Sequence, residues 1–139
     1  MVNASDLERS ILETATRLSL PCCMMAYDQA QLYINSLKKR YRISERASLQ
    51  FLDGIGYKIE HVDLNALIAA LPGGKVFLLT KEDSRTGVVI FQCKADLRRV
   101  LGEMHLFEFI ISDEQQGFIA GENFHDIIIV DGLAKSWFG

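Results

Sequence analysis

The residue types in this chain that are best suited to chemistry lie close together in its last third. Glu122, Asn123, His125 and Asp126 stand in the sequence Glu-Asn-Phe-His-Asp, which leads directly into the apolar run IIIV. Carboxylate, amide and imidazole groups are those from which acid–base sites and metal sites are built. We therefore take these four residues as the core of a candidate site.

A fifth candidate, Glu108, belongs to the apolar segment LFEFII. If this segment and GFIA pair as antiparallel strands with Ile111 opposite Phe118, Glu108 comes opposite Gly121 and close to Glu122. Crowded carboxylates raise each other's pKa, and a histidine among them is biased toward its charged form. This pairing therefore predicts a cluster of three carboxylates and one imidazole.

The cluster has both a functional and a structural interpretation. Glu, His and Asp are suitable ligands for Zn or Mn, but their spacing matches none of the helical metalloprotease patterns. His125 and Asp126 would also point to opposite faces if both lay on one strand. In the structural interpretation, Glu122 and Asn123 bond turn amides, His125 donates to a carbonyl group or to Glu108, and Asp126 accepts from the backbone. The sequence thus predicts no metal and no cofactor, and no G-x-S-x-G turn marks a nucleophile.

Helical patterns that could position such a site fill most of the first 104 residues. Ser5 and Glu8 have the spacing of a capping box, and Asp28 and Asp63 are expected N-caps of later helices. Apolar residues recur at intervals of three and four after each of these starts. The sequence predicts helices over residues 5–19, 28–41, 44–52, 63–71 and 94–104.

Segments rich in Val, Ile and Phe predict the strands. They cover residues 75–80, 87–93, 106–111, 118–121 and 126–130. The first two should form an antiparallel hairpin, and Phe109 and Ile111 should face one side of their strand while Ile110 faces the other. The predicted class is α+β, with N-terminal helices followed by a mostly antiparallel sheet of about five strands that one helix interrupts.

Size and composition favour one globular domain over residues 1–139. Hydrophobic residues make up 49% and charged residues 24% of the chain, which is typical of a packed core. The net charge is −3, and residues 63–139 carry eleven acidic against seven basic side chains. This balance argues against nucleic-acid binding, for which the basic run at residues 38–42 is the main candidate, and is compatible with a basic protein partner.

The cysteines and the N-terminal sequence predict a cytoplasmic protein. Cys22, Cys23 and Cys93 form an odd set without the C-x-x-C spacing of zinc sites, which predicts three reduced, mostly buried thiols. The first ten residues, MVNASDLERS, lack the apolar core of a signal peptide, and no apolar run is long enough to span a membrane.

Part of the chain resembles a known group of proteins. The segments LFEFII at 106–111, GFIA at 117–120 and ENFHDIIIVDG at 122–132 are similar to the C-terminal core of a family of small, uncharacterised bacterial α+β proteins. The preceding LPGGKVFLL is similar to the same family's step from helix to strand. The match covers less than a third of the chain, and Phe124 replaces the family's first histidine. Phe118 or Ile119 stands where a tryptophan is usual.

This resemblance implies an α+β fold and a bacterial origin, but no reaction. In size and layout such domains are similar to immunity proteins of bacterial toxin systems. We therefore expect a non-catalytic protein–protein interaction module of immunity or inhibitor type. The alternative is a small hydrolase or metal-dependent enzyme that uses Glu108, Glu122, His125 and Asp126.

Overall fold

The structure is a computed structural model that describes residues 6–41, 57–60, 64–82, 85–104, 109–122 and 127–132. These ranges contain four helices and seven strands. The helices are α1 (Asp6–Arg17), α2 (Tyr27–Arg40), α3 (Leu64–Ala70) and α4 (Lys94–Gly102). The strands are β1 (Cys22–Met24), β2 (Tyr57–Glu60), β3 (Val76–Glu82), β4 (Arg85–Phe91), β5 (Phe109–Ser112), β6 (Phe118–Glu122) and β7 (Ile127–Gly132).

All seven strands belong to one antiparallel sheet in the order β1-β4-β3-β5-β6-β7-β2. The α+β class is confirmed, as is the hairpin of β3 and β4, in which Val76 lies opposite Phe91. The five expected strands are present, and two short strands extend the sheet at its edges. β1 adds Cys22 opposite Phe91, and β2 adds Tyr57 opposite Val130.

Three helices cover one face of the sheet. Ile11 of α1, Leu67 of α3 and Val100 of α4 pack in one buried cluster with alternate strand residues such as Leu78 and Ile111. All five are at most 2% exposed. This cluster is the larger of the two cores in the described residues. Burial of apolar surface is the main favourable term in folding, so this core contributes most of the stability.

Helix α2 covers the opposite face. Its buried residues Ala30, Ile34 and Leu37 pack with Phe77 and Ile110, the neighbours of the strand residues that face the first core. The expected alternation along β5 is therefore confirmed. A strand that is buried on both faces has no polar side, which is why β5 is apolar at every position except Ser112.

The helix ends differ in detail from the expected ones. Ser5 and Asp63 lie outside the described residues, as does the helix expected over 44–52. Helix α1 ends in a left-handed turn at Ser19 (φ 59°), and the Leu20 N–H donates to the Ala15 carbonyl (2.8 Å), the pattern of a Schellman motif. Asp28 does not cap α2, because the N-cap is Ala26. Asp28 lies in the first turn, where a negative charge favours the helix dipole.

The predicted register between β5 and β6 is wrong by two residues. Ile111 lies opposite Ala120 rather than Phe118, and Gly121 lies opposite Ile110 rather than Glu108. The connecting turn is centred one residue later than expected, since Gln116 adopts a left-handed conformation (φ 56°). A shift of two residues leaves each side chain on its original face, so the burial pattern is unaffected.

Candidate interaction surface

The residues of the predicted Glu-Asn-x-His-Asp cluster mostly fall outside the described part of the chain. Glu108, Asn123, His125 and Asp126 are not described, and Glu122 is known only as the last backbone position of β6, opposite Phe109 and Ile128. The cluster therefore stays a prediction, apart from the corrected register. Within the described ranges, no group of three His, Cys, Asp or Glu residues is placed to hold a metal ion.

In the described residues, side-chain hydrogen bonds hold the turn between β5 and β6, residues 113–117, in place, and we call it the anchored turn. Gln116 is its centre and is only 6% exposed. Its side-chain oxygen accepts a hydrogen bond from Ser36 (2.9 Å), and its Nε2 donates to the Tyr33 carbonyl (2.8 Å). The Tyr41 hydroxyl donates to the Gln116 carbonyl (2.7 Å). Two residues of α2 and its C-cap Tyr41 therefore hold one glutamine.

Asp113 closes the turn from its other end. The Tyr33 hydroxyl donates to the Asp113 carbonyl (2.6 Å), and the Gly117 N–H donates to Asp113 Oδ1 (3.0 Å). The Gln116 N–H donates to the Asp113 carbonyl (3.2 Å), and the Ser112 hydroxyl donates to the Phe118 carbonyl (2.7 Å). Because these bonds satisfy backbone groups that a loop usually leaves to water, the turn is fixed in one conformation.

Tyr33 links α2 to the anchored turn through both its hydroxyl group and its backbone carbonyl group. Its ring packs against Phe77 with centroids 5.0 Å apart. Burial raises the pKa of Tyr33 well above its ordinary value of 10, and the charge of Asp113 raises it further, whereas a hydrogen bond with Ser112 partly offsets both. The phenol therefore stays protonated at physiological pH and remains a hydrogen-bond donor.

The tip of the anchored turn and the adjoining face of α2 are open to solvent. Glu114 and Gln115 are exposed, with the half-buried Asp113 beside them. Leu32 lies one helical turn before Ser36 and is 72% exposed. Lys39, one further turn along, is exposed and basic. The surface thus combines a fixed acidic tip, an apolar centre and a basic end.

The opposite flank of α2 borders a cleft of about 200 Å³, which we call the Glu8 cleft. Glu8 of α1 lines it and is 1% exposed. The carboxylate rests on Gly87 of β4, where an added Cβ would lie 2.5 Å from the carboxyl carbon of Glu8. The other lining residues are Met24, Met25, Tyr27, Ala30, Gln31, Ile34, Asn35 and Lys38.

The expectation that the cysteines are mostly buried is wrong, because Cys22 and Cys93 are half-buried and Cys23 is exposed. Cys23 is exposed on the edge strand β1, whereas Cys22 is half-buried beside the larger core. Burial raises the pKa of Cys22 to about 11, and the nearby charges of Cys23 and Asp96 add to the effect. Since the thiolate is the reactive form, Cys22 is a poor nucleophile at neutral pH.

No protein-family model, curated protein or solved structure matches this chain. The resemblance of the quoted segments to small bacterial α+β proteins therefore stays a prediction. Among the described helices, none has the length and apolar character needed to cross a membrane.

Sequence reasoning missed both surface features. Glu8 was expected only as a helix-capping residue, and Gly87 only as the first residue of a strand, although a glycine within a strand can mark close approach by another group. Gln116 carried no signal, since a polar residue in a turn is ordinarily exposed. The anchors on α2 lie 75 to 83 residues before their partners, a separation that local patterns cannot detect.

Proposed function

We propose that this chain is a non-catalytic protein–protein interaction module of inhibitor or immunity type. Its partner is a basic protein, which meets the anchored turn and Leu32. The observation that carries the proposal is the anchored turn, because it presents Glu114 in a conformation that binding does not have to create. Pre-organised binding loops lose less conformational entropy on association than flexible ones do.

The composition of this surface also supports a protein partner. Interfaces often place an apolar centre inside a polar rim, and the exposed Leu32 lies one helical turn from Ser36, which bonds the anchored turn, with the exposed Lys39 farther along the same helix. The opposite charges at the two ends of the surface would orient the partner, with its basic groups at Glu114. Charge complementarity of this kind acts mainly on association rate and on partner choice.

Two further points belong to the proposal. The similarity of residues 106–132 to small bacterial α+β domains favours the immunity or inhibitor type over other interaction modules. A cytoplasmic location is consistent with the free thiols of Cys22, Cys23 and Cys93, since reducing compartments keep thiols reduced.

The test is affinity capture of the tagged protein from a lysate of its source organism, at low and at high salt. We expect one stoichiometric basic protein at low salt and its loss at high salt, since salt screens surface charges. The same partner, once purified, should associate about tenfold more slowly with Glu114→Lys. Glu114 is exposed, so the melting temperature of this variant should equal that of the wild type.

The matched control is Glu13→Lys, which makes the same charge change at an exposed position of α1. It should bind like the wild type, because α1 lies on the other face of the sheet. A complex that is equally sensitive to both variants would reflect net charge alone. If Glu114→Lys and Leu32→Ser both bind the partner like the wild type, the partner does not use this surface.

A further inference from the structure

The outer edge of β1 carries backbone groups that no strand in the described part of the chain pairs with, since β1 is the end strand of the sheet and bonds β4 on its inner side. The Met25 N–H donates to the Val88 carbonyl (2.9 Å), and Cys23 lies two residues earlier in the same register. Bonded and non-bonded pairs alternate along an antiparallel ladder, so the backbone groups of Cys23 also point toward β4. Those of Cys22 and Met24 therefore point away from the sheet.

This edge lacks the features that ordinarily keep sheet edges apart. Charged side chains, prolines and bulges on an edge strand prevent identical edges from pairing. Residues 22–27, CCMMAY, contain no charged residue and no proline, and β1 pairs with β4 without a bulge. Cys23, the central residue of β1, is exposed, and its side chain is small. The edge is therefore open to another uncharged strand.

The spacing of the outward groups fits a second copy of the same strand. If two β1 strands pair antiparallel about a two-fold axis at Cys23, each Cys22 lies opposite the other copy's Met24. These pairs exchange both of their N–H···O bonds, which satisfies every outward backbone group of the two strands. A register shifted by two residues would use Leu20 or Ala26 instead. The Leu20 N–H and the Ala26 carbonyl already bond at the ends of α1 and α2, so either shift loses hydrogen bonds.

The side chains also suit this register. Cys22 and Met24 are half-buried and pack against the larger core. In the symmetric pair each lies beside the other copy's counterpart on the same face, so pairing covers apolar surface that a single copy leaves exposed. The two Cys23 residues meet on the axis at a non-hydrogen-bonded position, where Cα atoms are only about 4.5 Å apart and a small side chain is favoured.

From these observations we infer that β1 pairs with β1 of a second copy of this chain and joins the two sheets across a two-fold axis at Cys23. Such a contact closes with two copies, because each occupies the other's edge. Stable interfaces bury roughly 1,200 to 2,000 Å², and a three-residue strand supplies less, so the dimer is weak and forms as the protein is concentrated. The inference is independent of the proposed partner surface.

Sedimentation velocity under reducing conditions measures the association. The wild type should shift from 15.7 kDa toward twice that mass as its concentration rises to ~1 mM. Cys23→Ser should dimerise like the wild type, because the contact uses backbone groups. Cys23→Lys should dimerise at least about tenfold more weakly, because two like charges meet on the axis. The matched control, Gln115→Lys, gains the same charge at another exposed position and should dimerise like the wild type.

Hydrogen exchange of the wild-type protein locates the contact. In dilute protein β4 should protect the Cys23 amide, while the Cys22 and Met24 amides exchange freely. In concentrated protein all three amides should be protected. This readout needs no variant, so it decides the question even if Cys23→Lys does not fold. A monomer at ~1 mM, a Cys23→Lys dimer as strong as the wild-type one, or Cys22 and Met24 amides that stay unprotected in the dimer overturns the inference.

Discussion

Replacement of Gln116 by alanine tests whether the anchored turn stabilises the fold. The change removes the hydrogen bonds from Ser36 and to the Tyr33 carbonyl, and it leaves the backbone bond from Tyr41 in place. Ser36 is exposed, so water can replace its lost partner, whereas the Tyr33 carbonyl lies in a partly buried position. Loss of such a pair should destabilise the protein by about 2 kcal/mol.

The size of the chain converts this free energy into a temperature. For 139 residues the entropy of unfolding is about 0.29 kcal/mol per kelvin, so 2 kcal/mol lowers the melting temperature by about 7 °C. Urea unfolding gives the free energy and differential scanning calorimetry gives the melting temperature. Gln115→Ala is the matched control, because Gln115 is the exposed neighbour and its loss should change stability by less than about 0.5 kcal/mol.

A third variant, Gln116→Gly, separates the hydrogen bonds from the backbone conformation. Glycine loses the same two bonds but adopts φ 56° without the penalty of about 1 kcal/mol that alanine incurs there. We therefore expect Gln116→Gly to be less destabilised than Gln116→Ala. If Gln116→Ala unfolds like the wild type, or if Gln115→Ala is equally destabilised, the hydrogen bonds of Gln116 do not hold the turn.

Two other perturbations follow from the structure. Gly87→Ala places a Cβ 2.5 Å from the carboxyl group of Glu8 and should lower the free energy of unfolding by about 1 to 3 kcal/mol. In a double-mutant cycle, the double variant Glu8→Ala/Gly87→Ala should recover part of this loss, because the clash is removed. If the two single effects simply add, the contact between Glu8 and Gly87 is contradicted. The pKa of Cys22 rises from 9.0 to about 11 on folding, so the neutral thiol favours the folded state and its contribution is complete below pH 9 and is lost as the pH rises through about 11. In a Cys23→Ser/Cys93→Ser background, iodoacetamide should therefore modify Cys22 slowly at pH 8, and rapid modification there would refute the raised pKa.

The fold class could be predicted because each segment carries its own local signal. The hairpin of β3 and β4 follows from two runs of β-branched and aromatic residues, and α4 from the spacing of Leu97, Val100 and Leu101. β1 could not be predicted, since three residues, Cys-Cys-Met, are too few to show a period. It forms because the edge of β4 offers hydrogen-bond partners, and this pairing depends on the tertiary structure rather than on the local sequence.

The anchored turn depends on contacts between distant residues and was therefore not predictable. Helix periodicity correctly identifies Ala30, Ile34 and Leu37 as the buried face of α2. It does not indicate that Ser36 meets Gln116, because that contact depends on how far α2 lies from the turn across the sheet. The register of β5 and β6 failed for a related reason, since one left-handed residue moved the centre of the turn.

The order of the strands has a consequence for how the chain reaches this structure. The five central strands of the sheet all come from residues 76–132, while β1 and β2 lie at its two edges. Each edge strand pairs with a partner roughly 70 residues later in the chain. During synthesis the first half of the protein therefore has no sheet to join until the second half has emerged. Closing such long loops is slow, so we expect refolding in milliseconds to seconds. The edge strands β1 and β2 should pair last, after the central strands have formed the sheet against which the helices pack.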